Sequence, residues 1–279
     1  MEFEFSLFEG KLDDASLTER FGHPMPARWV ELVHWIVSNA NDGSGDAEDL
    51  YRQWFHFDAR RCNAFECTAP MELLGIGVQD NIILGPLVLA PELGHRENPW
   101  AWYCSDGSFT SIVAVGATRI IENVLSRALV EYEHFRETAK QAAAALNVDI
   151  SVDRGRRVGG SCGTDVDELG YEDAIIVPPG YRYLPPPERE DSHVGVLAPT
   201  ATFAEVDPIY DCRSDLITMD IEYLQQDYPA TALWLLTGDS ARYQDAVPAS
   251  RWTEATQAAY RALGRDQYAQ RLDDPGIWW

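Results

Sequence analysis

The sequence predicts an α+β protein, in which an antiparallel sheet is flanked by helices and is followed by a mixed α/β C-terminal extension. Two observations support this fold class. Helical patterns come first, then a group of strand-like runs, then a further helix, and this order differs from the alternation of βαβ units. The apolar residues also change their period, from a helical spacing in the first group to short runs rich in Ile, Val and aromatics in the second.

The N-terminal region is predicted to be helical. Helices are expected at 16–20 and at 26–39, and the second, which starts at Pro26, repeats its apolar residues at a helical period. The polar, glycine-containing segment 41–49 is predicted to be a loop or a helix cap, and a short helix is expected at 49–57.

Four strand-like runs come next, separated by turn residues: 73–78, 82–89, 100–104 and 109–115. The last two enclose Asp106, Gly107 and Ser108, a typical hairpin signal. We therefore predict an antiparallel meander. Trp100 and Trp102 alternate along the third run, so they share one face of the sheet and are expected to pack on the core.

A long helix is predicted from Thr118, its N-cap, to about residue 146, and it closes the first unit, 1–147. Residues 148–173 are rich in glycine and charge and are predicted to be a linker or surface loop. The remainder, 174–279, is predicted to be a C-terminal extension whose strands are kept short by prolines. Its strands are expected at 174–177, 180–184 and 193–198, and its helices at 215–227, 230–236 and 250–263.

The charge balance is strongly acidic, with 22 basic against 45 acidic residues and a net charge of −23. Such a surface repels phosphates, so the composition argues against binding of nucleic acid or of an anionic membrane. A basic protein partner would instead be attracted. A generally acidic, highly soluble surface would give the same balance, and charge alone does not separate these two interpretations.

The protein is expected to be cytoplasmic. No apolar run approaches the roughly 18–20 residues that cross a bilayer. Glu2 and Glu4 stand where a signal peptide would carry Lys or Arg. The five cysteines form an odd, scattered set, which fits reduced thiols in a reducing compartment.

One motif resembles a hydrolase nucleophile. Residues 159–163 (GGSCG) match G-x-S-x-G, with Ser161 as the serine. That motif needs a buried strand before it and a helix after it, but the charged segment 153–158 precedes it here. His193 is the only histidine further along the chain. The sequence therefore favours a glycine loop without catalysis, and a serine hydrolase that uses Ser161 stays as an alternative.

No metal or cofactor site is predicted. Cys62 and Cys67 lack the second cysteine pair of a structural zinc site. Glu92 and His95 are close enough in sequence to bind one metal ion together, but Gly94 between them argues for a loop. The chain also lacks a phosphate-binding loop and a complete dinucleotide motif.

Three stretches resemble the SMI1/KNR4 (SUKH) superfamily. Residues 21–29 (FGHPMPARW) are similar to the turn between the family's first two helices. Residues 70–77 (PMELLGIG) and 85–93 (GPLVLAPEL) are similar to its central strands. In the family those strands precede an aspartate–glycine turn, here Asp106-Gly107, and a closing helix. The resemblance implies a SUKH-like sheet flanked by helices.

The resemblance covers about residues 14–132 and implies a protein that binds and does not catalyse. Bacterial members of this superfamily are largely immunity proteins that neutralise toxins, often nucleases, whereas fungal members act as regulatory scaffolds. We therefore predict a non-enzymatic cytoplasmic binding protein, an immunity protein that blocks a basic toxin by occlusion, with a regulatory scaffold as the alternative. Four acids clustered on the 41–49 segment are the predicted contact surface: Asp42, Asp46, Glu48 and Asp49.

Overall fold

The fold is described from a computed structural model of the 279-residue chain. The structure describes residues 5–6, 8, 10–21, 23–40, 44–58, 60–61, 70, 72–79, 82–94, 97–104, 109–131, 133–158, 171–186, 194–205, 223, 226–238 and 249–272. Within these ranges α-helices combine with antiparallel sheets, which confirms the predicted α+β class. None of the helices in these ranges has the length and apolar composition needed to cross a membrane.

Three helices form the N-terminal layer: α1 (Asp14–Phe21), α2 (Ala27–Asn39) and α3 (Ser44–Phe55). The first two match the predicted helices. α2 begins directly after Pro26, whose ring holds φ at −57° and whose missing N–H costs nothing at a helix start. The apolar stripe of α2 is buried in the core, as its helical period indicates.

Helix α3 begins earlier than predicted, so the 44–49 part of the expected loop is helical. Ala47, Tyr51 and Trp54 are fully buried and lie three or four residues apart, on one face of the helix. Burial of this stripe outweighs the low helix propensity of the Ser-Gly-Asp start. Of the two alternatives predicted for this segment, a loop or a helix cap, the loop is wrong for residues 44–49, and residues 41–43 lie outside the described ranges.

Two short strands, β1 (Phe5–Ser6) and β2 (Arg60–Arg61), pair with each other. The main sheet is an antiparallel meander of β3, β4, β5 and β6, in that order: Gly77–Gln79, Ile82–Pro86, Pro99–Cys104 and Phe109–Val115. This order confirms the predicted antiparallel meander, but the first strand begins at Gly77 and not at residue 73, and the second ends at Pro86 and not at residue 89. Cys104 pairs with Phe109, and the predicted turn residues between them lie outside the described ranges.

The predicted long helix is in fact two helices, α4 (Gly116–Glu131) and α5 (Arg136–Leu146), joined by a 3₁₀ turn at Glu133–Phe135. The Nε of Arg136 donates a hydrogen bond to the Leu129 carbonyl oxygen at 3.1 Å, which satisfies an acceptor at the end of α4. The break lets α5 pack back against α4 through buried alanines. The single-helix prediction is wrong because helix propensity carries no information on where the chain reverses direction to pack on α4.

Part of the predicted linker is also helical. Helix α6 (Val152–Arg157) packs along α4, and the Ser151 hydroxyl caps its start by accepting a hydrogen bond from the Arg154 N–H at 3.2 Å. Gly155 approaches α4 so closely that an added Cβ would lie 2.0 Å from the Ser126 carbonyl oxygen. This helix therefore packs with the first unit, while the division of the chain at 147 and 174 stays a prediction.

The C-terminal extension combines short strands with helices. The strand predicted at 174–177 is not formed, because Ala174 ends a helix and the prolines at 178 and 179 have no N–H to donate to a neighbouring strand. Most of the helix predicted at 215–227 lies outside the described ranges. The elements are α7 (Tyr171–Ala174), β7 (Tyr181–Leu184), β8 (Val196–Pro199), α8 (Pro229–Gly238), α9 (Ala249–Ala262) and α10 (Asp266–Arg271).

Both faces of the main sheet are covered. Trp100 and Trp102 lie on the face that packs on the N-terminal helices, as predicted for residues that alternate along β5. The opposite face packs against the extension through Ile83, Ala101 and Tyr103 on the sheet and Ile175, Val194 and Leu197 beside them. The sheet is thus the middle layer between the helices and the extension.

A buried arginine joins the extension to the first unit. The guanidinium of Arg265 donates hydrogen bonds to the Glu92 carboxylate at 2.9 and 3.1 Å and to the Leu197 carbonyl oxygen at 2.5 Å. Only 1% of Arg265 is exposed. A buried guanidinium is tolerated only where its donors are satisfied, so this geometry fixes the position of the segment between α9 and α10.

Two buried tyrosines add hydrogen bonds across the same boundary. The Tyr268 hydroxyl donates to the Val88 carbonyl oxygen at 2.6 Å, and the Tyr260 hydroxyl donates to a Glu72 carboxylate oxygen at 2.7 Å. Burial raises the pKa of Glu72 above its ordinary value of 4.5, and the hydrogen bond from Tyr260 opposes this effect in part. The polar groups buried at this boundary are therefore hydrogen-bonded to each other or to the backbone.

Replacing Glu72 by Gln should remove a pH dependence from the stability of the protein. Because the pKa of Glu72 is raised on folding, the folded protein binds this proton more tightly than the unfolded chain does. The resulting stabilisation is complete below pH 4.5 and is lost as the pH rises through the raised pKa. Above the raised pKa, the Glu72→Gln variant should therefore be more stable than the parent by ~1–3 kcal/mol, whereas below pH 4.5 the two should be equally stable. Urea unfolding of the variant and the parent, from below pH 4.5 to above the raised pKa, measures the difference in stability. Parallel pH profiles of the two proteins would contradict the prediction.

Replacing Gly155 by Ala should destabilise the protein, although the same change usually strengthens a helix. The added methyl group would meet the Ser126 carbonyl oxygen of α4, so α6 would have to move away. We expect a loss of ~1–3 kcal/mol in the free energy of unfolding. Arg156→Ala, at an exposed neighbouring position of α6, is the control. It should change the free energy of unfolding by less than about 0.5 kcal/mol. Equal effects of the two substitutions would show that α6 does not pack on α4.

Candidate functional site

A polar pocket of about 310 Å³ lies where α2 and α3 meet the start of α5. The end of α2, the exposed face of α3 and the first turn of α5 form its walls. It is lined by Asn39, Ala40, Asp49, Leu50, Gln53, Phe135 and Thr138. The pocket contains Asp49, one of the four predicted contact residues, and is therefore the candidate site.

Helix α3 turns polar residues toward this pocket because its other face is buried in the core. Asp49 and Gln53 are four residues apart and therefore lie on the same side of the helix. The Asp49 side chain is 62% exposed, whereas Gln53 is half-buried. The helix thus places a charged carboxylate nearer to solvent and an amide deeper in the pocket.

Three carboxylates share one guanidinium beside the pocket. Arg52 binds Asp58 at 2.5 Å and Asp49 at 3.2 Å. The hydrogen bond to Asp58 raises the pKa of Arg52 above its ordinary value, and the charges of Asp49 and Glu48 act in the same direction. Arg52 therefore lies in a surface region that carries several carboxylates.

Gln53 leaves a hydrogen-bond acceptor unused. Its Oε1 atom is buried, and no residue within the described ranges donates a hydrogen bond to it. A shielded acceptor without a donor costs on the order of 1–3 kcal/mol. A donor from another molecule would remove that cost. Asp49 and Gln53 together therefore offer oxygen acceptors to a cationic donor, the ammonium of a lysine or the guanidinium of an arginine.

The four predicted contact residues have different positions. Asp42 lies outside the described ranges, and Asp46 lies in α3 with its side chain outside the description. Glu48 is half-buried beside Arg52, and Asp49 lines the pocket. Three of the four thus belong to a helix and not to the glycine-containing loop that suggested them.

Sequence reasoning missed Gln53, Asp58 and Thr138. Gln53 follows Asp49 by four residues, so a helical register for α3 would have placed it beside Asp49. Thr138 comes to the pocket only because α5 packs back on α4, and Asp58 comes to Arg52 only because the chain turns after α3. No local sequence pattern reports such tertiary approaches.

Of the other candidate site residues that the sequence suggested, the structure describes Glu92. Ser161 and His193 lie outside the described ranges, so the hydrolase alternative stays a prediction. Glu92 binds the buried Arg265, and His95 also lies outside the description. Among the residues that the structure describes, no three His, Cys, Asp or Glu side chains are grouped as metal ligands would be.

A scan against protein-family models finds none that matches this chain, and a search of the curated proteins finds no match either. The resemblance to the SMI1/KNR4 superfamily therefore rests on the motif residues alone and stays a prediction.

Replacing Gln53 by Met should leave the protein as stable as the parent or make it more stable by up to ~2 kcal/mol. Methionine has a similar shape, and it removes the buried acceptor that has no donor. Chemical denaturation measures the change. Gln141→Met, at an exposed position of α5, is the control and should have almost no effect. A clear loss of stability in Gln53→Met alone would show that the amide serves folding and is not available to a ligand.

Proposed function

We propose that this chain is a non-enzymatic, cytoplasmic binding protein of the immunity type, which neutralises a basic toxin by covering the toxin's working surface. A lysine or arginine of the toxin enters the pocket between α2, α3 and α5 and binds Asp49 and Gln53. The observation that carries the proposal is the buried Gln53 oxygen, to which no described residue donates, next to an exposed carboxylate.

The overall charge supports a basic partner at long range. A net charge of −23 attracts a positively charged protein and raises the rate at which the two meet. The same charge repels nucleic acid, so a complex with a nuclease would place acidic groups where the nuclease binds phosphates. Charge of this kind selects the class of partner but not its orientation.

The pocket supports a specific contact at short range. Its volume of about 310 Å³ is at the lower end of the range for ligand sites, which suits one long side chain better than a large small-molecule ligand. Hydrogen bonds between a carboxylate and a cation are stronger than those between neutral groups. Asp49 binds Arg52 at 3.2 Å, and its side chain is 62% exposed, so its carboxylate can also bind a second cation.

Two alternatives are tested separately. A regulatory scaffold would use the same surface as an immunity protein. The neighbouring genes distinguish the two, because a toxin gene next to this one favours an immunity protein. A serine hydrolase would use Ser161, and labelling with a fluorophosphonate tests it, since the absence of an adduct on Ser161 excludes this mechanism.

The proposal is tested with a toxin that is identified by cross-linking in the native host and then purified. Calorimetry with the intact chain should show an affinity that falls steeply as the salt concentration rises, because exposed charges are screened. Asp49→Asn and Gln53→Met should each weaken binding about tenfold, which corresponds to ~1.4 kcal/mol.

Asp173→Asn is the matched control, since Asp173 is an exposed aspartate on α7, away from the pocket-forming helices. It removes the same charge from the molecule and should weaken binding less than about twofold, through long-range attraction alone. Equal losses for Asp49→Asn and Asp173→Asn would contradict the pocket as the contact. An affinity that is independent of salt would contradict the basic partner.

A further inference from the structure

A second cavity lies where the main sheet meets the extension. It has a volume of about 290 Å³, and its walls include the loop after β4 and the segment 175–179. Four leucines line it: Leu87, Leu89, Leu93 and Leu197. We call this space the apolar cavity.

The apolar surface continues from the cavity onto the outside of the protein. Ile176 and Val177 line the apolar cavity, yet they are 64% and 45% exposed. The prolines at 178 and 179 have no N–H to donate to a strand, so this segment stays beside the sheet as an apolar strip. Exposed apolar groups that adjoin an apolar cavity are typical of a surface that a ligand covers.

Two polar side chains, Glu97 and Asn98, also line the apolar cavity. They are consecutive in the chain, so the oxygen acceptors that they carry lie in one part of the wall. Glu97 is exposed, and none of the residues that the structure describes forms an ion pair or a hydrogen bond with its carboxylate. The apolar cavity therefore combines a wall of leucines with a carboxylate that is open to a cation.

The junction between β6 and α4 sets the position of this carboxylate. The Gly116 N–H donates a hydrogen bond to the Asn98 carbonyl oxygen at 3.2 Å, which fixes the backbone next to Glu97. A Cβ added to Gly116 would lie 1.8 Å from Oε2 of Glu97, so the missing side chain provides the space in which this oxygen lies. Gly116 has a φ of +78°, which also favours glycine at this position.

We propose that the apolar cavity binds a small amphipathic cation, an ammonium that carries an alkyl chain. An ammonium has three N–H donors and no acceptor, which matches the Glu97 carboxylate and the side-chain oxygen of Asn98. The alkyl chain packs on the leucines and continues over Ile176. A volume of about 290 Å³ suits a ligand at the small end of the usual range. This site is separate from the polar pocket and does not depend on the proposed partner.

Calorimetric titration of the intact chain with hexylammonium tests the proposal. Hexylammonium should bind at least about tenfold more tightly than methylammonium, because the two share a charge and only the first has a chain to bury. 1-Hexanol and hexanoate keep the chain but lack the positive charge, so each should bind at least about fivefold more weakly than hexylammonium. From butylammonium to hexylammonium the affinity should rise about fourfold per methylene.

Two results of this series would overturn the proposal. Equal binding of methylammonium and hexylammonium would show that the net charge of −23 alone attracts the cation. Equal binding of hexanoate and hexylammonium would show that the alkyl chain alone is recognised, without the carboxylate.

Substitution of Glu97 locates the ammonium. Glu97→Gln should weaken hexylammonium binding at least about fivefold and leave 1-hexanol binding unchanged, because it removes only the charge. Glu254→Gln is the matched control, since Glu254 is exposed on α9 and does not line the apolar cavity, and it should weaken binding less than about twofold. Equal losses in these two variants would overturn the proposal. A loss in Asp49→Asn and not in Glu97→Gln would also overturn it, because the ammonium would then lie in the polar pocket.

Substitution of Ile176 locates the alkyl chain. Ile176→Ser removes apolar surface at an exposed position, so it should weaken hexylammonium and 1-hexanol alike, by about threefold or more. Val152→Ser is the matched control, since Val152 is 45% exposed but lies on α6, and it should leave both affinities unchanged. If Ile176→Ser and Val152→Ser have the same effect, the chain does not lie in the apolar cavity and the proposal is wrong.

Discussion

The positive charge of Arg265 lies in the interior, where Glu92 and the Leu197 carbonyl oxygen replace the water that it lost. Removing an ion from water costs several kcal/mol, so this arrangement is stable only when all of its partners are in place. Glu92 belongs to the first unit, whereas Leu197 and Arg265 belong to the extension. Strand β8, the loop after β4 and the segment before α10 must therefore come together at once. The covered sheet face and the position of α10 both depend on this junction.

Because both faces of the main sheet are covered, neither face is open to a ligand. Flat sheet surface is not available, so recognition falls to helix surfaces and to the edges where the layers meet. The polar pocket of the candidate site is built by α2, α3 and α5, and a second, apolar cavity of about 290 Å³ is built by the loop after β4 and the segment 175–179. These two surfaces share no element and differ in chemistry, since one offers oxygen acceptors and the other aliphatic side chains. They can therefore serve different ligands without interfering with each other.

The parts of the fold that the sequence predicts well are those with a strong local period. The apolar stripe of α2 and the antiparallel order of the meander needed no long-range information, and both were confirmed, although the first two strands are shorter than predicted. The start of α3, the break after Glu131 and helix α6 were missed because tertiary packing decides them, through the buried Ala47, the bond from Arg136 and the fit of Gly155. The candidate site divides in the same way. Charge clustering was enough to suggest Asp49, whereas the unused acceptor of Gln53 depends on burial, which composition does not report.

The contacts that hold the extension in place join residues very distant in the chain, with Tyr260 and Glu72 separated by 188 positions. During translation, the strands of the meander emerge from the ribosome long before the residues that cover them. Ile83, Ala101 and Tyr103 then form an apolar sheet face with no cover until Leu197 and later Arg265 have emerged. Such a face attracts chaperones and other nascent chains. The time that the ribosome needs to translate residues 104–265 therefore sets how long this sheet face of each new molecule remains uncovered.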